Sequence, residues 1–134
     1  MLEIEKDQNL LKEFGRIMTY LASVEYLLGE AILVSDKRLS PKDIHGLSLG
    51  PKIGKIKESN EKLSPLITEL RALNKDRKML AHGIIGGKNG LYVIHHHGEN
   101  KALTIELLQE VTKKAQKLRN SLSNKIWKKV SKNP

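Results

Sequence analysis

The stretch "LSPLITELRALNKDRKMLAHG", residues 63 to 83, decides how the chain folds. Its first half is simple. Leu63, Leu66, Ile67, Leu70 and Leu73 recur at steps of three and four, the spacing of one helical face. Ser64-Pro65 reads as an N-cap followed by a proline in the first helical position, and Gly83 is placed to end the helix in a left-handed conformation. The second half, "NKDRKMLAHG", breaks the pattern with Asn74, Lys75, Asp76, Arg77 and Lys78. On a helical wheel at about 100° per residue, Leu63, Leu66, Ile67, Leu73 and Ala81 fall within roughly 60° of Leu70. Arg77 falls about 20° from Leu70 and Asn74 about 40°. An arginine near the middle of a packed stripe needs a partner, or it lines a cleft or an interface. Glu25, beside the apolar "YLLG", is the carboxylate in the first helix that could pair with it across a core.

Two further helices flank this one. From about Glu5 to Val34, Leu10, Phe14, Ile17, Leu21, Val24, Leu28 and Ala31 form a stripe with coiled-coil-like spacing. Near the C-terminus, Thr104 is placed to cap a helix in which Leu108, Val111, Ala115, Leu118 and Leu122 repeat at three and four. Between the first helix and residue 63, Ser40-Pro41 with Asp43 predicts a short helical turn. "SLGPKIGKIKES" predicts another short helix, weakened by Gly50 and Gly54. "GIIGGKNG" carries turn chemistry, and "LYVIHHHGENKALTI" reads as two short strands around "HGENK". The expected fold is therefore all-α: an up-and-down helical bundle forming one domain over residues 1–134, with a small β-hairpin inserted at about 91–105, before the last helix.

Composition limits the function classes. The 134 residues include no cysteine, which excludes a disulfide framework and cysteine-based zinc sites. The first ten residues, "MLEIEKDQNL", are broken up by charge and do not read as a signal peptide. No uninterrupted apolar run approaches the roughly 20 residues of a membrane helix, so the expected location is cytoplasmic, with no membrane partner. The net charge of +9 favours polyanionic partners. Residues 113 to 134 hold eight Lys or Arg and no acid. Lys113, Lys114, Lys117, Lys125, Lys128 and Lys132 fall in a wedge of roughly 120° beside the apolar stripe. Such a wedge is either a solvated face or a phosphate-facing one, with Lys125, Lys128 and Lys132 as the candidate nucleic-acid contacts.

"RKMLAH", Arg77 to His82, resembles the Arg-four-residues-His motif of the HEPN superfamily. The resemblance extends to layout: a long first helix containing "SVEYLLGEA", a short "LGPKIGKI" segment, the motif helix and a final helix, together most of the chain. It implies a helical bundle that dimerises with itself. It also implies, in many members, a metal-independent endoribonuclease serving as a toxin or defence factor, with a cognate antitoxin protein as partner. Arg77 and His82 would then be the catalytic pair, supported by Asn74, Lys78 and Glu25, and the two motifs of a dimer would face one shared cleft. Catalytic members often carry Asn or another small polar residue after the Arg, where this chain has Lys78. The alternative is a non-catalytic HEPN-like module that binds RNA or a protein, and a third class is a purely structural dimerisation protein. No cofactor is implied. His95, His96 and His97 on a strand put only two rings on one face, too few for zinc without other ligands. Trp127 could stack on a base but also suits packing near a helix end.

Overall fold

The computed structural model describes residues 8–59, 63–82, 84–88, 91–96 and 99–132. It is a mostly α-helical bundle. Helix α1 spans Gln8–Ser35, α2 Pro41–His45, α3 Leu49–Ser59, α4 Ile67–His82 and α5 Ile105–Lys132. A single 3₁₀ turn, Ser64–Leu66, precedes α4. Strands β1 Ile84–Lys88, β2 Leu91–His96 and β3 Glu99–Leu103 lie between α4 and α5.

The two longest helices, α1 and α5, form the most extensive pairing. Leu10, Ile17, Leu21, Val24, Leu28, Ala31 and Ile32 of α1 are buried, and so are Leu108, Val111, Ala115, Leu118 and Leu122 of α5. Each set follows the three-four spacing of its own sequence, so each helix has one apolar stripe and covers it with the other's. The stripe of α1 differs from expectation at one turn. Phe14 lies half-buried at its edge, and Glu13 takes the inner position. A buried carboxylate must be hydrogen-bonded. The Thr112 hydroxyl of α5 donates to Glu13 at 2.7 Å, and Arg16 stands 3.5 Å away. A stretch of 18 residues within α1 is long and apolar enough to cross a membrane by length and composition, although two glutamates interrupt it. The same stretch supplies core side chains from Ile17 to Ile32.

Helix α1 ends where Asp36 folds back onto Arg38. The arginine Nε donates to one carboxylate oxygen at 2.9 Å and Nη2 to the other at 3.0 Å. The arginine's hydrogen bond holds the Asp36 carboxyl below its ordinary range. Ser40 stands at the N-cap of α2 without accepting a helix N–H through its side chain; instead its backbone N–H and its hydroxyl both donate to Asp43, each at 2.9 Å. Ile44 of this short helix is fully buried. His45 pins it to α1. The His45 ring stacks on Tyr26 with centroids 5.2 Å apart, and its Nε2 lies 2.8 Å from Glu30. A Cβ at Gly29 would meet the same ring at 3.1 Å, so a larger residue there would push the imidazole off the α1 backbone by a few tenths of an ångström. Helix α3 then packs on both α1 and α4, with Leu49, Ile53 and Ile56 buried.

The chain enters α4 through a 3₁₀ turn rather than directly at Ser64-Pro65, and regular α-helix begins at Ile67. Thr104 does cap α5, accepting from the Leu107 N–H at 3.2 Å. The hairpin of β2 and β3 falls inside the expected range, and its strands run closer together than "HGENK" suggested. His95 pairs with Asn100 and His96 with Glu99, which leaves residues 97–98 between the strands. His97 itself lies outside the described residues. The main correction is β1. "IIGGK", read as turn, is a strand that pairs antiparallel with β2 and makes a three-stranded meander in the order β1-β2-β3. Glycine disfavours strands, but Gly86 and Gly87 lie opposite Val93 and Tyr92, residues that favour them. The register breaks between Ile84 and Gly86, as a bulge would require.

Candidate functional site

In the polar half of the motif helix, Asn74 sits where α4 meets α3: a Cβ on Gly50 of α3 would come within 3.3 Å of its amide nitrogen. Leu70, Leu73 and Leu80 of α4 are buried, and Met79 is buried as well. Ala81, expected on the stripe, is exposed. The buried stripe thus lies closer to Leu73 than a wheel centred on Leu70 places it. Asn74 and Arg77 are half-buried at its α3 edge rather than at its centre. The opposite edge faces α5. There Asp76 pairs with Lys114 at 3.3 Å and Glu69 with Lys117 at 3.8 Å. The acids of α4 are therefore engaged on one side, while Arg77 bonds to Asn74 on the other.

Arg77 Nε–H donates to Asn74 Oδ1 at 3.3 Å, one helical turn back. Among the described residues no carboxylate stands within ion-pair distance of its guanidinium. This differs from the expected Glu25 pairing. Glu25 is half-buried on α1, and its neighbour is Lys52 of α3. Lys52 is only 3% exposed, and its ammonium donates to the Glu25 backbone carbonyl at 2.8 Å. Burial pushes its pKa below the ordinary lysine value, and the Glu25 charge partly opposes the shift. Lys78 is exposed, on the solvent side of α4.

His82 is the last residue of α4, and its side chain lies outside the described residues. It stands five positions after Arg77, about 7.5 Å along the axis and about 140° round an ideal helix. On one straight helix the pair does not share a face. The side chains of Lys125, Lys128 and Lys132 in α5 are likewise outside the described residues. Of the rest of the basic wedge, Lys113, Lys114 and Lys117 are all exposed, and Lys114 and Lys117 pair with the acids of α4. Arg119 lies over the Tyr20 ring at 5.0 Å.

Two participants were not singled out from sequence. Lysine ordinarily reads as a solvated residue, so Lys52 gave no sign of burial. The usable signal was its place between Leu49, Ile53 and Ile56 on an amphipathic pattern. Gly50 read as a helix weakener, yet it faces Asn74. The titration of Lys52 gives a direct check. Below its lowered folded pKa the lysine is charged in both states, and the folded state carries the full burial penalty. As pH rises from there to the unfolded value of 10.5, the folded protein releases a proton that the unfolded chain still holds. Stability from this group therefore increases with pH across that window. Urea unfolding of wild type and Lys52→Met from neutral pH to 10.5 should show wild type gaining on the variant. Parallel curves would mean that Lys52 is not a buried cation.

Comparison of the chain with protein-family models, with curated proteins and with solved structures finds no match.

Proposed function

We propose that this chain is a metal-independent endoribonuclease of the HEPN type, acting in the cytoplasm as a homodimer. A toxin or defence role, with an antitoxin as partner, belongs to the same reading. The observation that carries it is Arg77: a half-buried arginine on the motif helix, oriented by an amide and not neutralised by any described carboxylate, five residues before a histidine at the helix end. Such an arginine is suited to a two-pronged contact with phosphate. Five positions along one ideal helix is about 140° round, so a shared cleft lets the arginine of one subunit work with the histidine of its twin.

The chemistry needs only RNA and these side chains. The 2′-hydroxyl gives up its proton, its oxygen bonds to phosphorus, and the bond from phosphorus to the 5′-oxygen breaks as that oxygen receives a proton. A histidine titrating near neutrality can move these protons. Arg77 stabilises the charge that builds on the phosphate oxygens. The products are a 2′,3′-cyclic phosphate and a 5′-hydroxyl. An oligoribonucleotide with a single 2′-deoxy sugar at the cleaved position tests this route: cleavage there should stop. Continued cutting at that bond would exclude attack by the 2′-oxygen.

A second reading rests on Lys78. With lysine following the arginine, the site lacks the amide-like donor and acceptor that a small polar residue can offer, which suits a module that binds RNA or a protein without cutting. Both readings expect RNA binding to weaken steeply with salt. Replacing Lys125, Lys128 and Lys132 together by glutamine should lower the slope of log affinity against log salt by about 2, at roughly 0.7 per phosphate contact on a single strand. Thermal melts of the same variant check that the fold is kept. An unchanged slope would place the RNA on another surface.

A further inference from the structure

The contact between α3 and α4 has a feature that the apolar core does not explain. Gly50 lies in the first turn of α3, and a Cβ there would come within 3.3 Å of Asn74 Nδ2. That is tighter than a comfortable van der Waals contact, so the amide rests almost directly on the α3 backbone. Its other end, Oδ1, accepts from Arg77 Nε–H. The amide is thus placed between a backbone floor and a guanidinium. The floor is itself anchored, because Ile53 and Ile56 are buried and Lys52 reaches the Glu25 carbonyl of α1 at 2.8 Å. Gly54, on the same helix, has nothing within 4 Å of where its Cβ would be. Space therefore calls for a glycine at position 50 and not at 54.

We infer that Gly50 and Asn74 are positioning residues for Arg77: the glycine admits the Asn74 amide against α3, and the amide fixes the guanidinium plane through Nε, which leaves the two terminal nitrogens for a phosphate. The inference rests on the ribonuclease reading for its phosphate, but not for the orientation of the arginine. Arginine offers five N–H donors in a rigid fork. With Nε engaged by Asn74, the four donors on Nη1 and Nη2 are left as a pair of prongs, the arrangement that two phosphate oxygens accept. A misdirected fork keeps its charge and loses its geometry, which for positioned groups reduces rate by roughly tenfold to a hundredfold.

The test uses full-length protein and four variants: Gly50→Val, Asn74→Ala, the double variant, and Gly54→Val. The control makes the same change of helix propensity at an open position. Two readouts are taken, the Arg77 Nε–H signal by nitrogen-edited NMR and kcat/KM on a short single-stranded RNA. Gly50→Val and Asn74→Ala should each move the Nε–H signal and accelerate its exchange with solvent, and Gly54→Val should leave it in place. Cleavage should fall roughly tenfold or more in the first two. The double variant should be no worse than Asn74→Ala alone, because both act through one amide. If Gly50→Val fails to fold, Gly50→Ala forces a displacement of a few tenths of an ångström and should produce a smaller shift of the same signal. An Nε–H signal identical to wild type in Gly50→Val and Asn74→Ala overturns the inference. So does a double variant whose losses simply add. A wild-type protein that cuts no RNA defeats the ribonuclease reading, and the NMR readout then decides the positioning role by itself.

Discussion

His82→Ala is expected to lower RNA cleavage by roughly 10²-fold or more, the usual scale for losing a proton-transfer group. The position favours a clean result. His82 ends α4, so it is not flanked by helix on both sides, and alanine is the best helix former. The change should therefore leave the fold intact while removing the imidazole. The pH dependence is the sharper sign. Wild-type kcat/KM should change across the neutral range as the histidine titrates, whereas the residual activity of the variant should lose that dependence. Equal cleavage by His82→Ala and wild type would mean that the proton transfers occur elsewhere.

Arg77→Ala is expected to be comparably severe, through lost charge stabilisation on the phosphate. The structure makes this a safer experiment than a central position would. Arg77 is half-buried at the α3 edge of its helix, and no described carboxylate is left uncompensated when it is removed. Asn74 loses one hydrogen bond and can turn towards solvent. Stability should thus fall by about 1 kcal/mol rather than the 3–5 kcal/mol of a broken buried ion pair. Thermal melts alongside the cleavage assay separate the two effects. A large destabilisation would show that the guanidinium is a structural strut. Lys78→Asn is the companion change: Lys78 is exposed, so stability should hold, and activity should be maintained or rise as the amide takes the place after the arginine.

The helices were legible because their signals are local. Leu10 through Ala31 and Leu108 through Leu122 mark stripes in which every residue but Phe14 is buried, and Thr104 announces α5 with a cap bond that forms. What escaped was decided by partners. Glu13 is buried because Thr112, 99 residues away, supplies a donor, and no local pattern announces that. Strand β1 exists because β2 pairs with it, against the turn chemistry of its own glycines. At the candidate site the wheel put Arg77 and Asn74 on the correct helix and near the packed side, but it centred the stripe on Leu70. The buried residues put Leu73 nearer the middle, with Glu69 and Asp76 on the side of α5. Lys52 and Gly50 were obscured for opposite reasons: one is a charge that folding buries, and the other is an absence of side chain whose value appears only when α4 lies against it.

The most direct measurement is the incubation of purified wild-type protein with several single-stranded RNAs in the presence of EDTA, with the product ends identified. Cleavage should be unaffected by the chelator and leave 2′,3′-cyclic phosphate and 5′-hydroxyl ends. A folded, dimeric wild-type protein that leaves every RNA intact, or one that cuts only when a divalent metal is restored, would contradict it.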